Sequence, residues 1–274
     1  MTLSSTEIAS FVDGEHTGPE TTVSGVEALD AADSDEFAFC IYTDPTYVRT
    51  SDAGVIVCPP EMKPVEGRTL VRVAEPKLAF VKIANEYFVE PIEETQIHPT
   101  AVVEPEAVIG DRTVIGPGAY VASCVEIGND CTIRAGAVLG SEGFGFARES
   151  DGRLHRQIHQ GCVIIGDNVE IGPNSSVDRA VFGKTVVEDG AKLSGQVHLA
   201  HQVRIGRDTT VAYGSGFAGG ATVGERVTIH PHVSVATDVT IGDDAEIGMN
   251  AGVLSGVPDG TTVVGTPARS ISEQ

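Results

Sequence analysis

From Ile97 to Leu139, and again from Val187 to Val253, every sixth residue is aliphatic or phenylalanine. The first run reads Ile97, Val103, Ile109, Ile115, Val121, Ile127, Ile133, Leu139. The second passes through Leu193, Leu199, Ile205, Val211, Phe217, Val223, Ile229, Val235, Ile241 and Ile247, and Ile165, Ile171 and Val177 hold the spacing between the runs. A helical face repeats at about 3.6 residues and a strand face at about 2, so a period of six describes a chain that turns a corner every six residues. The residue two before each of these positions is small or β-branched, as at Thr95, Ala101, Ala107, Ala137, Ser175, Ala191, Thr209 and Ala245. One bulky residue to fill a narrow interior and one compact residue near each corner predict a flat-sided prism of short parallel strands.

The period breaks twice. Leu139 to Ile165 spans 26 residues, two more than four hexapeptides, and holds the glycine-rich, histidine-bearing segment GSEGFGFARESDGRLHRQIHQG, which predicts an extruded loop over 140–162. Val177 to Val187 spans ten residues, a smaller excursion around DRAVFGK. Loops leaving a rigid solenoid are natural places for ligand contacts. Residues 1–92 lack the period altogether. There the pattern predicts a helix from Thr6 to Phe11 capped by Ser4 or Ser5, strands from Phe37 to Tyr42 and Gly54 to Cys58, and an amphipathic helix from Lys77 to Phe88: a small α/β domain ahead of a mainly β domain over 93–274. After Val253, SGVPDGTTVVGTPARS reads as a cap on the last open coil.

Composition narrows the function classes. The chain has no Trp and 5% aromatic residues, as a thin interior of Val, Ile and Ala requires. No run approaches the roughly 18 apolar residues of a membrane span, and the N-terminus lacks the basic start and apolar centre of a signal peptide, so a cytoplasmic location is expected. The net charge of −21, from 39 acidic against 18 basic residues, repels nucleic acid and anionic membranes as partners. Only five of the basic residues are Lys, and the acidic excess is spread along the chain, a composition suited to a high-salt cytoplasm. Cys40, Cys58, Cys124, Cys131 and Cys162 are odd in number, lack CxxC spacing and occupy aliphatic-like positions, which predicts buried reduced thiols.

The IGDRTVIG-type hexapeptides, GSEGFGFA at 140–147, VIIGDNVEIGPNSSVDR at 163–179 and HLAHQVRIG at 198–206 together resemble the hexapeptide-repeat sugar-nucleotide N-acyltransferases of lipid A synthesis. The resemblance covers nearly the whole chain, and FAFCIYTDPTYV is similar to the family's uridine-binding segment. It implies a left-handed parallel β-helix, a homotrimer with active sites between subunits, a UDP-amino sugar as acceptor, and acyl carrier protein or acyl-CoA as thioester donor, with no bound cofactor. Acyl transfer to an amine needs a base for the nitrogen's proton and donors for the oxyanion. The resemblance puts the base at His201, whose imidazole suits that task near neutral pH, and an oxyanion-holding backbone N–H at Gly219. Phe39 and Tyr47 match the aromatic pair that sandwiches uracil, Asp44 stands near the family's uracil-reading Asn, and Gln202 matches a sugar-nucleotide contact. His198 is expected to be structural or to support the base.

Two positions depart from the family. The carboxylate that orients the base, seven residues before it, is replaced by Ser194, and a second family histidine is replaced by Asp238. His230 and His232 lie near a core slot without a third residue at metal-ligand spacing, so no metal site is expected. Three other readings stay open on the residues alone: an acetyl-CoA-dependent sugar O- or N-acetyltransferase, which the VVGTPARS ending resembles, a γ-type carbonic anhydrase, and a non-catalytic solenoid.

Overall fold

The computed structural model describes residues 2–270, and the chain divides at Pro91 into two compact units. The last four residues of the expected 93–274 domain, and Met1, lie outside the described residues.

In the first unit a five-stranded sheet runs in the order Glu15–Thr17, Leu70–Arg72, Val55–Cys58, Glu36–Phe39, Gly25–Val26, parallel except at its first pair. Alternation assigns the two faces of the sheet. Phe37, Val55, Val57 and Val71 pack with Ile8 of helix α1 (Ser5–Phe11) and Ile83 of helix α3 (Pro76–Tyr87), while Ala38, Ile56, Cys58 and Leu70 pack with Val48 of the short helix α2 (Pro45–Arg49). Ser4 caps α1 in a reciprocal box with Glu7, as the sequence predicts. The expected strand to Tyr42 ends at Phe39 because the chain turns into α2, which Asp44 caps and Pro45 opens.

In the second unit the residues six apart fall on three different faces, and those eighteen apart stack. Ile97 pairs with Ile115, Ile115 with Ile133 and Ile133 with Ile171 on the first face; Val103, Val121, Leu139 and Val177 follow on the second; Ile109, Ile127, Ile165 and Val187 on the third. Three sheets of ten, eight and seven strands result, parallel throughout except where Arg269–Ser270 pairs antiparallel with Thr262–Val264 at the end of the first, closing on one interior of Val, Ile, Leu and Ala. Each rung is mostly two residues long, so the corners carry as much of the chain as the strands. Several corners hold an Asp, Asn or Gln in the left-handed region, among them Asp130, Asn168, Gln202 and Asp244, with φ between 53° and 61°.

The two interruptions keep the prism intact. The strand Val138–Glu142 shifts register after Leu139, at Gly140, and leads out to an exposed antiparallel hairpin, Phe146–Arg148 with Leu154–Arg156. The chain returns at Cys162–Ile165. The smaller excursion is a tight turn between Ser176–Arg179 and Lys184–Val187, both longer than an ordinary rung. All five cysteines are free thiols; Cys40, Cys58 and Cys131 are buried, and Cys124 and Cys162 only half-buried. Burial pushes the Cys58 thiol up to about 12, so it stays a thiol at neutral pH.

Candidate active site

His201, Gly219 and Thr237 are eighteen residues apart and stack at one corner, each after a second-face strand: His198–Leu199, Gly216–Phe217 and Ser234–Val235. They line a groove of about 490 Å³ together with His198, Ala200, Gly216, Ala218 and, from the extruded loop, Phe144. Phe144 is 85% exposed, and the groove floor is made of small residues.

The His201 ring is held by its chain neighbour. Its Nδ1 lies 2.7 Å from Gln202 Oε1, and that oxygen also takes the Val181 N–H at 3.3 Å. Since the backbone N–H needs an acceptor, the amide atom facing both groups is the oxygen, and Nδ1 must carry the proton it donates. The neutral ring therefore leaves Nε2 as a free lone pair, the form a general base requires. Gln202 can do this because its own backbone sits in the left-handed corner conformation, φ 61°, and is pinned there by its N–H donating to Thr185 Oγ1 at 2.9 Å.

Gly219 lies directly against the His201 ring. A Cβ there would stand 2.3 Å from His201 Cε1, so only glycine leaves the ring its place. Among the described residues no acceptor takes the Gly219 N–H, whereas the next N–H, of Gly220, donates to the His201 carbonyl. His198, the other groove histidine, bonds Ser176 Oγ through Nδ1 at 2.8 Å and places Nε2 3.7 Å from the buried Asp178 carboxylate. Asp178 in turn accepts from Ser141 Oγ at 2.9 Å.

Several residues fall elsewhere than the sequence suggests. Ser194 follows the first-face strand Lys192–Leu193 and is exposed, while His201 follows the second-face strand His198–Leu199; seven residues along this chain carry it past a corner to the adjacent face, away from the His201 ring. Asp238 stands one rung beyond Gly219, and its Oδ1 lies against Gly220, so it too makes no contact with His201. Gln202, expected at the sugar nucleotide, has its amide oxygen on the His201 ring. In the first unit Phe39 packs on Phe80, ring centroids 4.8 Å apart, and the ring stacked on Tyr47 is Tyr42, at 4.5 Å and 22°. Asp44 caps α2 by accepting the Thr46 N–H at 2.9 Å, and that backbone bond holds its carboxyl below the usual carboxylate range. His230 bonds Glu246 at 2.8 Å and His232 packs edge-on to Tyr213. Among the described residues no three His, Cys, Asp or Glu side chains converge on a metal position.

One residue beside His201 has no signal in the six-residue pattern. His159, at the end of the extruded loop, is 4% exposed, and its ring centroid lies 5.5 Å from that of His201. The loop brings it there from outside the repeat, which is why spacing could not have found it.

The fold and this corner define a hexapeptide-repeat transferase. The family model described as bacterial transferase hexapeptide (six repeats) matches residues 93–123, 106–141 and 220–255. The UDP-3-O-acylglucosamine N-acyltransferase of Anaeromyxobacter dehalogenans (strain 2CP-1) is 33% identical over 263 residues, covering 80% of this chain and 74% of that protein. The one from Pseudomonas fluorescens (strain Pf0-1) is 30% identical over 260 residues, covering 80% and 73%. The chain belongs to the UDP-3-O-acylglucosamine N-acyltransferase family. Among solved structures, the UDP-N-acetylglucosamine acyltransferase of Campylobacter jejuni matches with a TM-score of 0.53 at 21% identity, over 64% of this chain and 73% of that one, and shares its left-handed β-helix.

Proposed function

We propose that this chain transfers an acyl group from a thioester donor to the amine of a UDP-linked amino sugar, with His201 as general base. The observation that carries this reading is the Gln202 bond, which fixes the proton on His201 Nδ1 and leaves Nε2 free over the groove. In the reaction Nε2 takes the proton from the attacking nitrogen as the C–N bond forms, and the Gly219 N–H, with no acceptor of its own, donates to the oxyanion on the former thioester carbonyl. Collapse of that intermediate breaks the C–S bond, and the imidazolium returns its proton to the thiolate. Phe144 and the small residues of the floor offer an apolar surface to the acyl chain.

The working assembly in this reading is a homotrimer in the cytoplasm, and the acceptor's base stacks on the exposed Tyr42 and Tyr47 rings, a platform that supplies affinity without charge. The donor is acyl carrier protein or coenzyme A. The acidic surface suits a high-salt cytoplasm, and a transition midpoint that falls on dilution from molar KCl supports that; an unchanged midpoint removes it.

The test is a mass-spectrometric assay in molar KCl, offering UDP-linked amino sugars with hydroxyacyl-carrier protein or acetyl-CoA to the wild type and His201→Ala. An N-acylated product from one donor, lost in the variant, supports the transferase and names the donor. No product from a folded trimer with any pair, or an equal yield from His201→Ala, rejects the reading.

A further inference from the structure

His159 Nε2 and Thr17 Oγ1 are the buried side-chain polar atoms without a hydrogen-bond partner among the described residues. His159 Nδ1 lies 3.2 Å from the Gln157 carbonyl, which can only accept, so Nδ1 carries the proton and the orphan Nε2 of the neutral ring is a bare lone pair. Burying such an atom costs stability that a Phe or Leu of similar shape would not. The loop is nevertheless built around this ring. A Cβ on Gly143 would stand 2.9 Å from His159 Nε2, and one on Gly145 would stand 3.3 Å from its Cε1, so the two glycines flanking Phe144 leave room for it. The same Gly143 position is 3.3 Å from Asp178 Oδ2, which places the buried carboxylate on the Nε2 side of the ring. The opposite neighbour is His201, 5.5 Å away between centroids and tilted by 55°.

We propose that His159 is a positioning residue for His201 whose own protonation is coupled to that of the base: neutral, its ring braces the His201 imidazole, and with a proton on Nε2 beside Asp178 it sets a positive charge against that imidazole and withholds it from catalysis. The proposal rests on His201 being the base. Two imidazoles at this separation cannot both charge without mutual cost. The other charged groups around His159 are Glu142, ion-paired with Arg156 at 2.7 Å, Arg179, which donates to the Gly161 carbonyl, and His198, on the far side of Asp178. Asp178 is the carboxylate that makes a proton on Nε2 tolerable, so removing its charge disfavours the protonated His159.

The experiment compares the wild type with His159→Phe, which keeps a ring against His201 but has no nitrogen, and with Asp178→Asn. The acid limb of log kcat/KM against pH is expected to bend twice in the wild type, first to a slope of about one, since a proton on either ring stops the base, and at lower pH to about two once both rings are charged, and to stop at about one in both variants. Histidine Cε1–H NMR titration of the protein without substrate is the second readout. His201, assigned by its loss in His201→Ala, should titrate in two coupled steps in the wild type and in one step in His159→Phe. If His159→Phe does not fold, Asp178→Asn carries both measurements. Unchanged slopes with a single-step His201 titration in every protein overturn the proposal. Should His201→Ala retain activity, the base assignment fails instead, and the NMR titration still decides whether the two rings are coupled.

Discussion

The coils from Leu193 to Val253 and the interrupted coils from Leu139 to Val187 bury polar groups in opposite ways. In regular coils the buried polar side chains are small hydroxyls, each used twice between rungs. Thr209 donates to the Gly224 carbonyl at 2.8 Å and accepts the Val227 N–H at 3.0 Å, and Ser215 does the same between His230 and Val233. Every such group is satisfied by the repeat itself, so it serves stability and nothing else. The interrupted coils bury a carboxylate, Asp178, and an imidazole, His159, whose Nε2 has no partner. Titratable groups gather where the repeat breaks because only a segment freed from the six-residue rule can be folded over a corner, and that corner carries His201.

This contrast can be broken from either side. On the chemical side, His201→Ala should lower kcat by about 100-fold to 10,000-fold, the usual contribution of a general base, with the melting temperature kept. An activity within a few-fold of wild type would move the chemistry off this corner. Gly219→Ala should cost less, on the order of 100-fold in kcat, since the added Cβ must push aside a ring now 2.3 Å from where it would stand. Rate measurements under saturating substrates check both. On the structural side the order reverses. Thr209→Val strands a buried carbonyl and a buried N–H in a regular coil, which should cost about 1–3 kcal/mol by chemical denaturation while leaving kcat unchanged.

The smallest effect is expected at the outer corners. Asp189 accepts the Asp167 N–H at 3.0 Å, and that bond, with help from Arg207, holds its carboxyl below the usual range; Asp130 and Asp244 are held down by hydrogen bonds from Arg112 and Arg226. A folded-state value below the unfolded one, about 3.9, contributes stability that is fully present above that pH and is lost as pH falls through the folded value. The melting temperature should therefore hold steady down to about pH 5 and decline below about pH 4. Asn129 accepts the Asp111 N–H at 2.8 Å in the same role, so Asp189→Asn should match wild type at pH 7 and lose slightly less at pH 3. A decline beginning near pH 6 would point instead to the histidines of the interrupted coils.

The site divides between what the pattern reveals and what it does not. His201, Gly219 and Thr237 share a corner because they share a phase in the repeat, so their stacking was legible from spacing once the prism was recognised. Asp44 before Pro45 carries a helix-start signal, yet α2 is absent from the elements expected of the sequence. Three features were not legible. Ser194 looked like a partner for the base through its place in a motif, but a linear distance of seven crosses a corner here. Gln202 reaches His201 Nδ1 through a side-chain rotamer and a left-handed backbone that no composition records. Tyr42 rather than Phe39 faces Tyr47 because the strand ends at Phe39, turning that ring into the core against Phe80.

By itself the sequence determined a flat-sided solenoid of short parallel strands and its interior, because a period of six with a compact residue two before each bulky one turns a corner at every repeat; that the corners close on three faces is seen only in the structure. Its longer motifs, through the family resemblance, singled out His201. The tertiary structure alone decided what surrounds that histidine: the hairpin's path, the tilt of His159 and the carboxylate beside it. Those contacts join residues from outside the period, and the path of an irregular loop is set by the sum of its packing and hydrogen bonds rather than by any repeating local rule.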